Sequence, residues 1–440
     1  MGNKVIVIGG GLAGCEASYQ LAKRGYEVDL YEMKPEKMSS AHHAKTLAEI
    51  VCSNSFKSKL LTTSSGMLKA ELELLGSIIL NVANECSVPA GSALAVDRDE
   101  FTIKMDEIIH SMPNINVICS EIAEIPLDSD VIIATGPLTS DALANNLEQL
   151  LGEKSLSFFD ASAPIVSEES LDDDFYFTLD RYGKGESDYI NCPLTKDEYD
   201  NFVKELTTAK RIELHEFENT DVFDGCMPIE IMASRGLESL RYGPMRPVGL
   251  IDPKTGKRPY AVVQLRKENT KGELYNIVGF QTNLTFGEQK RVFSLIPALK
   301  NAEFLKYGVM HRNTFICAPK FLCEDFSLKN HRNIFIAGQL SGVEGYMEST
   351  MSGLISALGM IAFKKHLQFK PFGDKTMIGA LCKYLVSASE KDFQPMNSNF
   401  GLLNPLDELV KDKIKRKEAY SLRGINELKN YLLTEGKKWL

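Results

Sequence analysis

Cys52 stands in a stretch whose composition suits a reactive thiol. It lies in "EIVCSNSF", residues 49–56, after two apolar residues and before a run of serine and asparagine. Disulfide exchange within one chain needs a second cysteine close by, and the following "SNSFKS" has none. Three interpretations stay open for such a thiol: an inert side chain, a nucleophile or a proton acceptor.

Cys226 is the second candidate thiol. It follows a glycine and precedes Met-Pro in "DGCMPIE", where a break in regular structure can present a side chain to a cleft. Three arginines follow, and a nearby cation favours the thiolate, the form that attacks carbon. They are Arg235, Arg241 and Arg246. A buried cysteine in a turn is the alternative, and Cys192, which precedes a proline, is a third thiol without an assigned role.

The elements that position these thiols begin with "KVIVIGGGLAGCEASYQLAKRGYEVDLYEMK". This stretch predicts a strand at Val5–Ile8, a helix that ends near Gly25, and a second strand that ends at Glu32. A glycine-rich turn in a βαβ unit brings backbone amides to a pyrophosphate, and an acidic residue after the second strand accepts a ribose hydroxyl. Glu32 favours FAD or NAD over NADP. The loop residues predicted to contact the cofactor are Gly9, Gly10, Gly11, Leu12, Ala13 and Gly14.

Two later segments favour FAD. "DSDVIIATGPLTS" (128–140) is an apolar strand that runs into Gly136. "NIFIAGQLSGVEGYMESTMSGLISALGM" (333–360) is a strand, a turn with Gly338 and Gly342, and an amphipathic helix. Both are typical of FAD proteins with two dinucleotide-binding domains. A further Rossmann crossover is the alternative for the second segment.

The chain is long enough for two or three domains. Helical spacing predicts a helix over 64–82, and Asp97 is predicted to cap another. Short alternating strands separated by turn sequences occupy 156–305. We therefore expect an α/β fold: a discontinuous Rossmann-like FAD-binding domain at 1–155 and 306–440, with a smaller α/β domain inserted at 156–305.

Composition narrows the function classes. The net charge of −9 argues against a protein that coats nucleic acid indiscriminately, although the last thirty residues carry nine Lys or Arg against four Asp or Glu. The nine cysteines form no CxxC pair and no zinc spacing, so we expect a reducing compartment and no metal site. No apolar run reaches the length of a membrane span, and no signal peptide is evident, so a cytoplasmic protein is expected.

Seven segments together carry a specific resemblance over almost the whole chain. They are "GGGLAGCEAS", "LYEMKP", "EIVCSNSFKS", "GCMPIEIMASRG", "LRYGPMRPVGL", "QLSGVEGYMEST" and "NSNFGLL". The chain resembles the folate- and FAD-dependent tRNA (uracil-5-)-methyltransferases, the TrmFO family, which is related to the GidA/MnmG flavoproteins.

This resemblance implies methylation at C5 of a uridine, with methylenetetrahydrofolate as the carbon donor and reduced FAD as the electron source. It assigns the attack on uracil C6 to Cys226 and the place of its partner thiol, beside the flavin, to Cys52. It implies that folate stacks on the flavin near Glu344 and Tyr346, that Gly345 between them contacts the cofactor, and that Arg98 lies near the pyrophosphate or the flavin edge. NADH or NADPH would bind transiently and reduce the flavin.

The implied partner is a structured RNA, from which the target base must be flipped. The T-loop uridine at position 54 of tRNA is expected; a uridine of large-subunit (23S) rRNA is the alternative, and a non-catalytic FAD-binding redox or RNA-binding protein is a distant one. Candidate phosphate contacts are the three arginines after Cys226, the "KTGKRPY" and "RKENTK" loops and the basic tail. The sequence does not define an oligomeric state.

Overall fold

A computed structural model of the chain describes residues 2–39, 41–153, 156–181, 188–212, 227–391 and 393–436, with the backbone alone at 156–160, 311 and 312. A parallel sheet of five strands lies at its centre. In spatial order its strands are β16 (Ile334–Ile336), β7 (Val131–Ile133), β1 (Lys4–Ile8), β2 (Glu27–Glu32) and β6 (Ile115–Cys119). All four pairings are parallel, which places the carboxyl ends of the strands at one edge.

The predicted βαβ unit is confirmed. The first strand spans Lys4–Ile8, the helix Leu12–Lys23 and the second strand Glu27–Glu32. The interior strands are mostly buried, as expected where helices cover both faces of a parallel sheet. The predicted late strand is also present, at Ile334–Ile336, followed by a helix at Tyr346–Lys364.

Nine helices of the described chain pack around this sheet or next to it. They are α1 (Leu12–Lys23), α2 (Ser64–Leu74), α3 (Ile78–Glu85), α4 (Arg98–Ser111), α5 (Asp141–Leu151), α10 (Ala318–Phe321), α11 (Tyr346–Lys364), α12 (Met377–Ser387) and α13 (Lys413–Leu433). Helices α1 and α11 approach each other closely: a Cβ added at Gly353 would lie 2.2 Å from the carbonyl oxygen of Ala13. Glycine at this position therefore allows the two backbones to touch.

The single helix predicted over 64–82 is wrong, because the structure has two. The first ends at Leu74, and Gly76 follows in a left-handed conformation with φ of +70°. Ser77 then caps the second helix by accepting from the N–H of Leu80, and its hydroxyl donates to the buried carboxylate of Glu16. A cap with a buried partner outweighed the continuous apolar spacing. The predicted cap at Asp97 is confirmed, since its side chain accepts from Asp99 and Glu100.

A second, antiparallel sheet of six strands lies in the middle of the chain. In spatial order its strands are β10 (Phe177–Thr178), β11 (Tyr189–Leu194), β12 (Ala261–Lys267), β13 (Leu274–Ile277), β9 (Ile165–Ser167) and β14 (Phe304–Lys306). Among the described residues, four helices accompany it: α6 (Lys196–Thr208), α7 (Ile229–Ser234), α8 (Ser239–Tyr242) and α9 (Phe286–Phe293). Their apolar side chains form a hydrophobic cluster that extends from Val166 to Ala302.

The main hydrophobic cluster is built from two separated parts of the chain, between Val5 and Leu147 and between Phe315 and Leu428. A two-stranded antiparallel sheet connects the regions, with β8 (Leu156–Ala161) paired to β15 (Met310–Phe315). A further small sheet holds β3 (Ser55–Ser58), β5 (Ala93–Val96) and β4 (Ser87–Val88). Within the described residues, no helix is both long and apolar enough to cross a membrane.

Candidate active site

Glycines shape the turn between β1 and α1 and the first turn of the helix. Gly9 has a φ of +102°, and a Cβ there would lie 2.6 Å from the carbonyl oxygen of Ala134. A Cβ at Gly14 would lie 1.8 Å from the carbonyl oxygen of Gly9. A Cβ at Gly11, by contrast, would meet no atom within 4 Å. Two glycines thus allow tight packing, and the third keeps the N-terminus of α1 open to a ligand.

Glu32 holds this loop from the end of β2. Its Oε2 accepts from the N–H of Gly10 at 2.8 Å, and its Oε1 accepts from the N–H of Lys34 at 2.9 Å. The carboxylate is buried but still lines the cavity described next. It therefore fixes the loop from the position at which a ribose would be recognised.

A cavity of about 340 Å³ opens at the carboxyl edge of the parallel sheet. Most of the predicted cofactor residues line it, as does one of the two predicted thiols. Those that do are Gly9, Gly10, Gly11, Leu12, Ala13, Glu32, Cys52, Gly136, Gly338, Glu344, Gly345 and Tyr346. Residues from five separate parts of the chain thus meet in one cavity.

Three predicted cofactor residues do not line it. Gly14 packs against Gly9, and Gly342 packs against Phe393, whose ring would lie 2.5 Å from a Cβ at that glycine. Arg98 does not line the cavity, but its guanidinium contacts the Cys52 segment that does: it donates to the carboxylate of Glu268 and to the carbonyl oxygens of Ile50 and Cys52. Its contacts are with the segment around Cys52.

Cys52 is half-buried, with its Sγ 3.7 Å from the carbonyl oxygen of Ala161. The Tyr346 hydroxyl accepts from the N–H of Cys52 at 2.9 Å and from that of Ser53 at 3.1 Å. Burial raises the pKa of Tyr346, and the nearby Cys52 thiol raises it further, so this phenol stays protonated. Tyr346 thus lines the cavity and also anchors the backbone that carries the thiol.

Cys226 lies outside the described residues. The described chain resumes at Met227, and the N–H of Ile229 donates to the carbonyl oxygen of Gln281 at 2.7 Å. Gln281 lines the same cavity as Cys52. Cys192, the third thiol of the sequence analysis, is fully buried in β11, and burial raises its pKa and disfavours a thiolate.

Sequence reasoning missed a charged pair on the wall of the cavity. Glu348 is 1% exposed, and its Oε1 accepts from the N–H and the hydroxyl of Ser398 at 2.9 and 2.8 Å. The ammonium of Lys57 lies 3.4 Å away. Burial acts to raise the pKa of Glu348, but Lys57 and the Ser398 donors outweigh it and lower the pKa. The position of Glu348 in the first turn of a helix after a glycine turn could have indicated it.

The residues present fit FAD. The first turn of α1 leaves N–H groups without intrahelical partners, and they face a cavity that Gly11 keeps open. Glu32 stands where a ribose hydroxyl is recognised, and Gly338, Gly345 and Tyr346 supply the opposite wall. Within the described residues, no group of three metal-ligating side chains is present.

Comparison with known proteins defines the class first. The family model described as glucose inhibited division protein A matches residues 4–368, and the chain belongs to that family. Two crystal structures of Aquifex aeolicus GidA cover 99% of this chain, with TM-scores of 0.69 and 0.70, sequence identities of 16% and 15%, and coverage of 77% and 79% of the GidA chain. The fold is the Rossmann-like α/β fold of the GidA-type flavoproteins.

Closer relatives define the family more narrowly. The methylenetetrahydrofolate–tRNA-(uracil-5-)-methyltransferase TrmFO of Halalkalibacterium halodurans is 51% identical over 97% of this chain and 98% of its own length. That of Anoxybacillus flavithermus is 51% identical over 98% of this chain and 99% of its own length. The chain therefore belongs to the TrmFO family, as the resemblance predicted.

Proposed function

We propose that this protein is a methylenetetrahydrofolate- and FAD-dependent enzyme that methylates C5 of a uridine in tRNA. The observation that carries the proposal is that the Cys52 thiol lines the cavity formed by the α1 loop and Tyr346. A thiol beside a dinucleotide site is what the reaction requires. Relatives that match almost the whole chain carry the name of this activity.

FAD would be held by the loop from Gly9 to Ala13, by Glu32, and by Gly338 on the opposite wall. Bound FAD supplies the electrons that complete the methyl group. The N-terminus of α1 favours the negative pyrophosphate. Glu344 and Tyr346, which also line the cavity, are the proposed folate contacts.

Cys226 is the proposed nucleophile. Its thiolate adds to uracil C6, forming the S–C6 bond and converting the C5–C6 double bond into an enolate. The enolate C5 then bonds to the donor's methylene carbon, whose bonds to the folate nitrogens break as tetrahydrofolate leaves. Later expulsion of the thiolate breaks the S–C6 bond and restores the double bond. Ile229 follows Cys226 by three positions, and its N–H donates to the carbonyl oxygen of the cavity residue Gln281. Three positions of extended chain span at most about 11 Å.

Cys52 is the proposed partner thiol, which accepts the C5 proton as its thiolate. Its Sγ lies 3.7 Å from the carbonyl oxygen of Ala161, a distance at which a sulfur hydrogen bond is long and weak, so this bond does not hold the thiol proton strongly. The thiol then returns the proton to solvent after the base departs.

The finer features of the reaction are part of the same proposal. The target is the T-loop uridine at position 54, with a 23S rRNA uridine as the second candidate, and NADH or NADPH is the reductant. No second GxGxxG is present in the sequence to hold a nicotinamide nucleotide permanently. We also propose that residues 1–155 and 306–440 form the FAD-binding domain and that 156–305 form the inserted domain; the two hydrophobic clusters support this division.

The first turns of α13 are the proposed contact with RNA phosphates. Lys413, Lys415 and Arg416 are exposed, and no ion pair within the described residues involves them. Cations at a helix N-terminus are disfavoured by the helix dipole, so the helix itself does not benefit from them. Of the three earlier candidates, Arg241 is already bonded to Glu238 and to the carbonyl oxygen of Tyr260.

The decisive experiment offers purified holoprotein, NADH and carbon-labelled methylenetetrahydrofolate to unmodified tRNA and, separately, to 23S rRNA. We expect label in tRNA, its loss in Cys226→Ala, and its retention in the matched control Cys119→Ala, which alters an exposed thiol. Label in rRNA alone would move the target to the second candidate. Absence of label from both RNAs, with reducible flavin, would contradict the proposal.

A further inference from the structure

The backbone around Cys52 is held by apolar packing at Ile50, which is buried in the main hydrophobic cluster, and by polar contacts from Cys52 onward. We call residues 50–54 the Cys52 loop. In this loop Ser53 and Asn54 follow the thiol. The loop lies between α11 and the end of β12. Residues 51–54 carry no fully buried apolar side chain, so their position depends on hydrogen bonds.

Arg98 provides the first set of bonds. Its Nη1 donates to the carbonyl oxygen of Ile50 at 2.5 Å and its Nη2 to that of Cys52 at 3.3 Å, so the guanidinium bridges both sides of the thiol-bearing residue. The Arg98 side chain is 15% exposed and its partner Glu268 is 2% exposed, with Nε and Oε2 only 2.6 Å apart. A buried guanidinium needs this carboxylate, because an unpaired buried charge is strongly destabilising.

Arg266 provides the second set. It is 7% exposed, and it donates from Nε to Oδ1 of Asn54 at 2.9 Å and from Nη2 to the hydroxyl of Ser53 at 2.8 Å. Asn54 is fully buried and returns a bond from its Nδ2 to the carbonyl oxygen of Lys267 at 2.8 Å. The Arg266 side chain and the backbone of β12 therefore both form hydrogen bonds with the Cys52 loop.

Arg266 and Glu268 stand two residues apart, at the end of β12 and just beyond it. On the opposite side, the Tyr346 hydroxyl accepts from the N–H groups of Cys52 and Ser53. We propose that Arg266 and Glu268 are positioning residues through which the six-stranded sheet holds the Cys52 thiol in the cavity. Arg266 acts directly on the loop, and Glu268 acts by keeping the Arg98 guanidinium in place.

This inference rests on the proposed role of Cys52, and it adds that the antiparallel sheet takes part in the reaction without lining the cavity at these two residues. A displacement of about 1 Å at a reacting group can reduce a rate about 100-fold, so bonds that fix a thiol have kinetic consequences. Because the two residues do not touch the cofactor cavity, their loss should leave cofactor binding intact.

The test compares holoproteins carrying Arg266→Met or Glu268→Gln with wild type and with the matched control Arg181→Met. Arg181 donates to Gln264, which lies on β12 as Arg266 does. No described hydrogen bond joins Arg181 to the Cys52 loop. We expect both variants to lower kcat for RNA methylation about 10- to 100-fold, with the KM for tRNA and the FAD content within about twofold of wild type. We expect the control to resemble wild type.

Hydrogen–deuterium exchange separates positioning from general destabilisation. We expect the amides of residues 50–54 to exchange faster in both variants while those of α1 keep wild-type rates, and we expect Arg266→Lys to recover part of kcat. Wild-type kcat and exchange in both variants would overturn the inference. Faster exchange over the whole chain would overturn it as well, because the residues would then support folding in general.

Failure of the proposed function gives a different result. Wild-type methylation by a Cys52→Ala variant would show that Cys52 has no role in the reaction. The exchange measurement would still decide whether β12 holds the loop. If Cys52→Ala is inactive while both β12 variants behave like wild type, the positioning inference alone fails.

Discussion

A single hydroxyl group shows how closely the site depends on individual atoms. Tyr346 accepts two backbone N–H groups from Cys52 and Ser53, and its ring packs on Phe56 at a centroid distance of 5.3 Å. We expect Tyr346→Phe to keep the ring contact but leave both N–H groups without an acceptor, at a cost of about 1–3 kcal/mol in local stability. Exchange of these two amides should accelerate, and kcat should fall about 10-fold, a change of about 1.4 kcal/mol.

Tyr242→Phe is the matched control for that substitution, since Tyr242 is 75% exposed and lies away from the cavity. Amide exchange and methylation kinetics would be measured on both holoproteins. Equal exchange of Cys52 in the Phe variant and in wild type would show that the hydroxyl does not hold the loop.

At the scale of secondary-structure elements, the contact between α1 and α11 predicts an effect on both stability and FAD content. A Cβ at Gly353 would lie 2.2 Å from the carbonyl oxygen of Ala13, so Gly353→Ala must push the two helices apart. We expect a loss of about 1–3 kcal/mol in unfolding free energy and a lower FAD content, because the N-terminus of α1 moves with the helix. Urea unfolding and flavin absorbance measure the two effects.

Gly287→Ala serves as the control for this element, since a Cβ there, in α9, would meet no atom within 4 Å. This substitution should be neutral or slightly stabilising, because alanine favours a helix over glycine. A Gly353→Ala variant with wild-type stability and wild-type FAD content would contradict the close-packing argument.

The N-terminal turns of α13 should separate stability from RNA binding. Replacing Lys413, Lys415 and Arg416 together by alanine removes repulsion with the helix dipole, so the unfolding free energy should rise by a few tenths of a kcal/mol, on the order of 0.3 or more. The affinity for tRNA should fall, and the slope of log affinity against log salt should decrease by about 1 for each phosphate that the variant no longer neutralises.

Binding of tRNA at several salt concentrations tests that prediction. Lys104, Lys196 and Lys320, each already paired with a carboxylate, replaced together by alanine form the control. An unchanged salt slope in the α13 variant would place the RNA on another surface.

At the scale of the whole molecule, a buried carboxyl group links stability to pH. Glu71 is fully buried and accepts from the N–H groups of Met377 and Ile378 at the start of α12. Burial raises its pKa to about 8. An unfolded glutamate titrates near about pH 4.3, so between that pH and about 8 the folded state binds more protons than the unfolded state.

The sign follows from that difference: the contribution of Glu71 to stability is fully present below about pH 4.3 and is lost as the pH rises toward and through 8. Glu71→Gln, which mimics the neutral acid, should therefore flatten the decrease in unfolding free energy between about pH 5 and 8. Urea unfolding at several pH values would show it. Glu107→Gln, at an exposed position of α4, should keep the wild-type profile, and a wild-type profile for Glu71→Gln would refute the linkage.

Local pattern accounts for the parts of the fold that were predicted well. The βαβ unit, the late strand and helix, and the cap at Asp97 depend on neighbours in sequence: apolar spacing, a glycine turn and a capping side chain. The helix over 64–82 was predicted wrongly because the competing interaction is distant, with Ser77 bonded to Glu16. The position of Arg98 is predicted only by analogy with other FAD proteins, because its side-chain partner Glu268 lies 170 residues away in the sequence.

The sequence by itself determined the class of fold, the family and the candidate residues, because glycine, carboxylate and thiol have fixed chemical requirements that survive in short motifs. Only the tertiary structure decided which residues share the cavity, that Tyr346 and Arg98 anchor Cys52, and that β12 holds the same loop. The physical reason is that directed hydrogen bonds and buried charge pairs act over a few ångströms, while residues that form them can be far apart in sequence, as Cys52 and Tyr346 are at 294 positions.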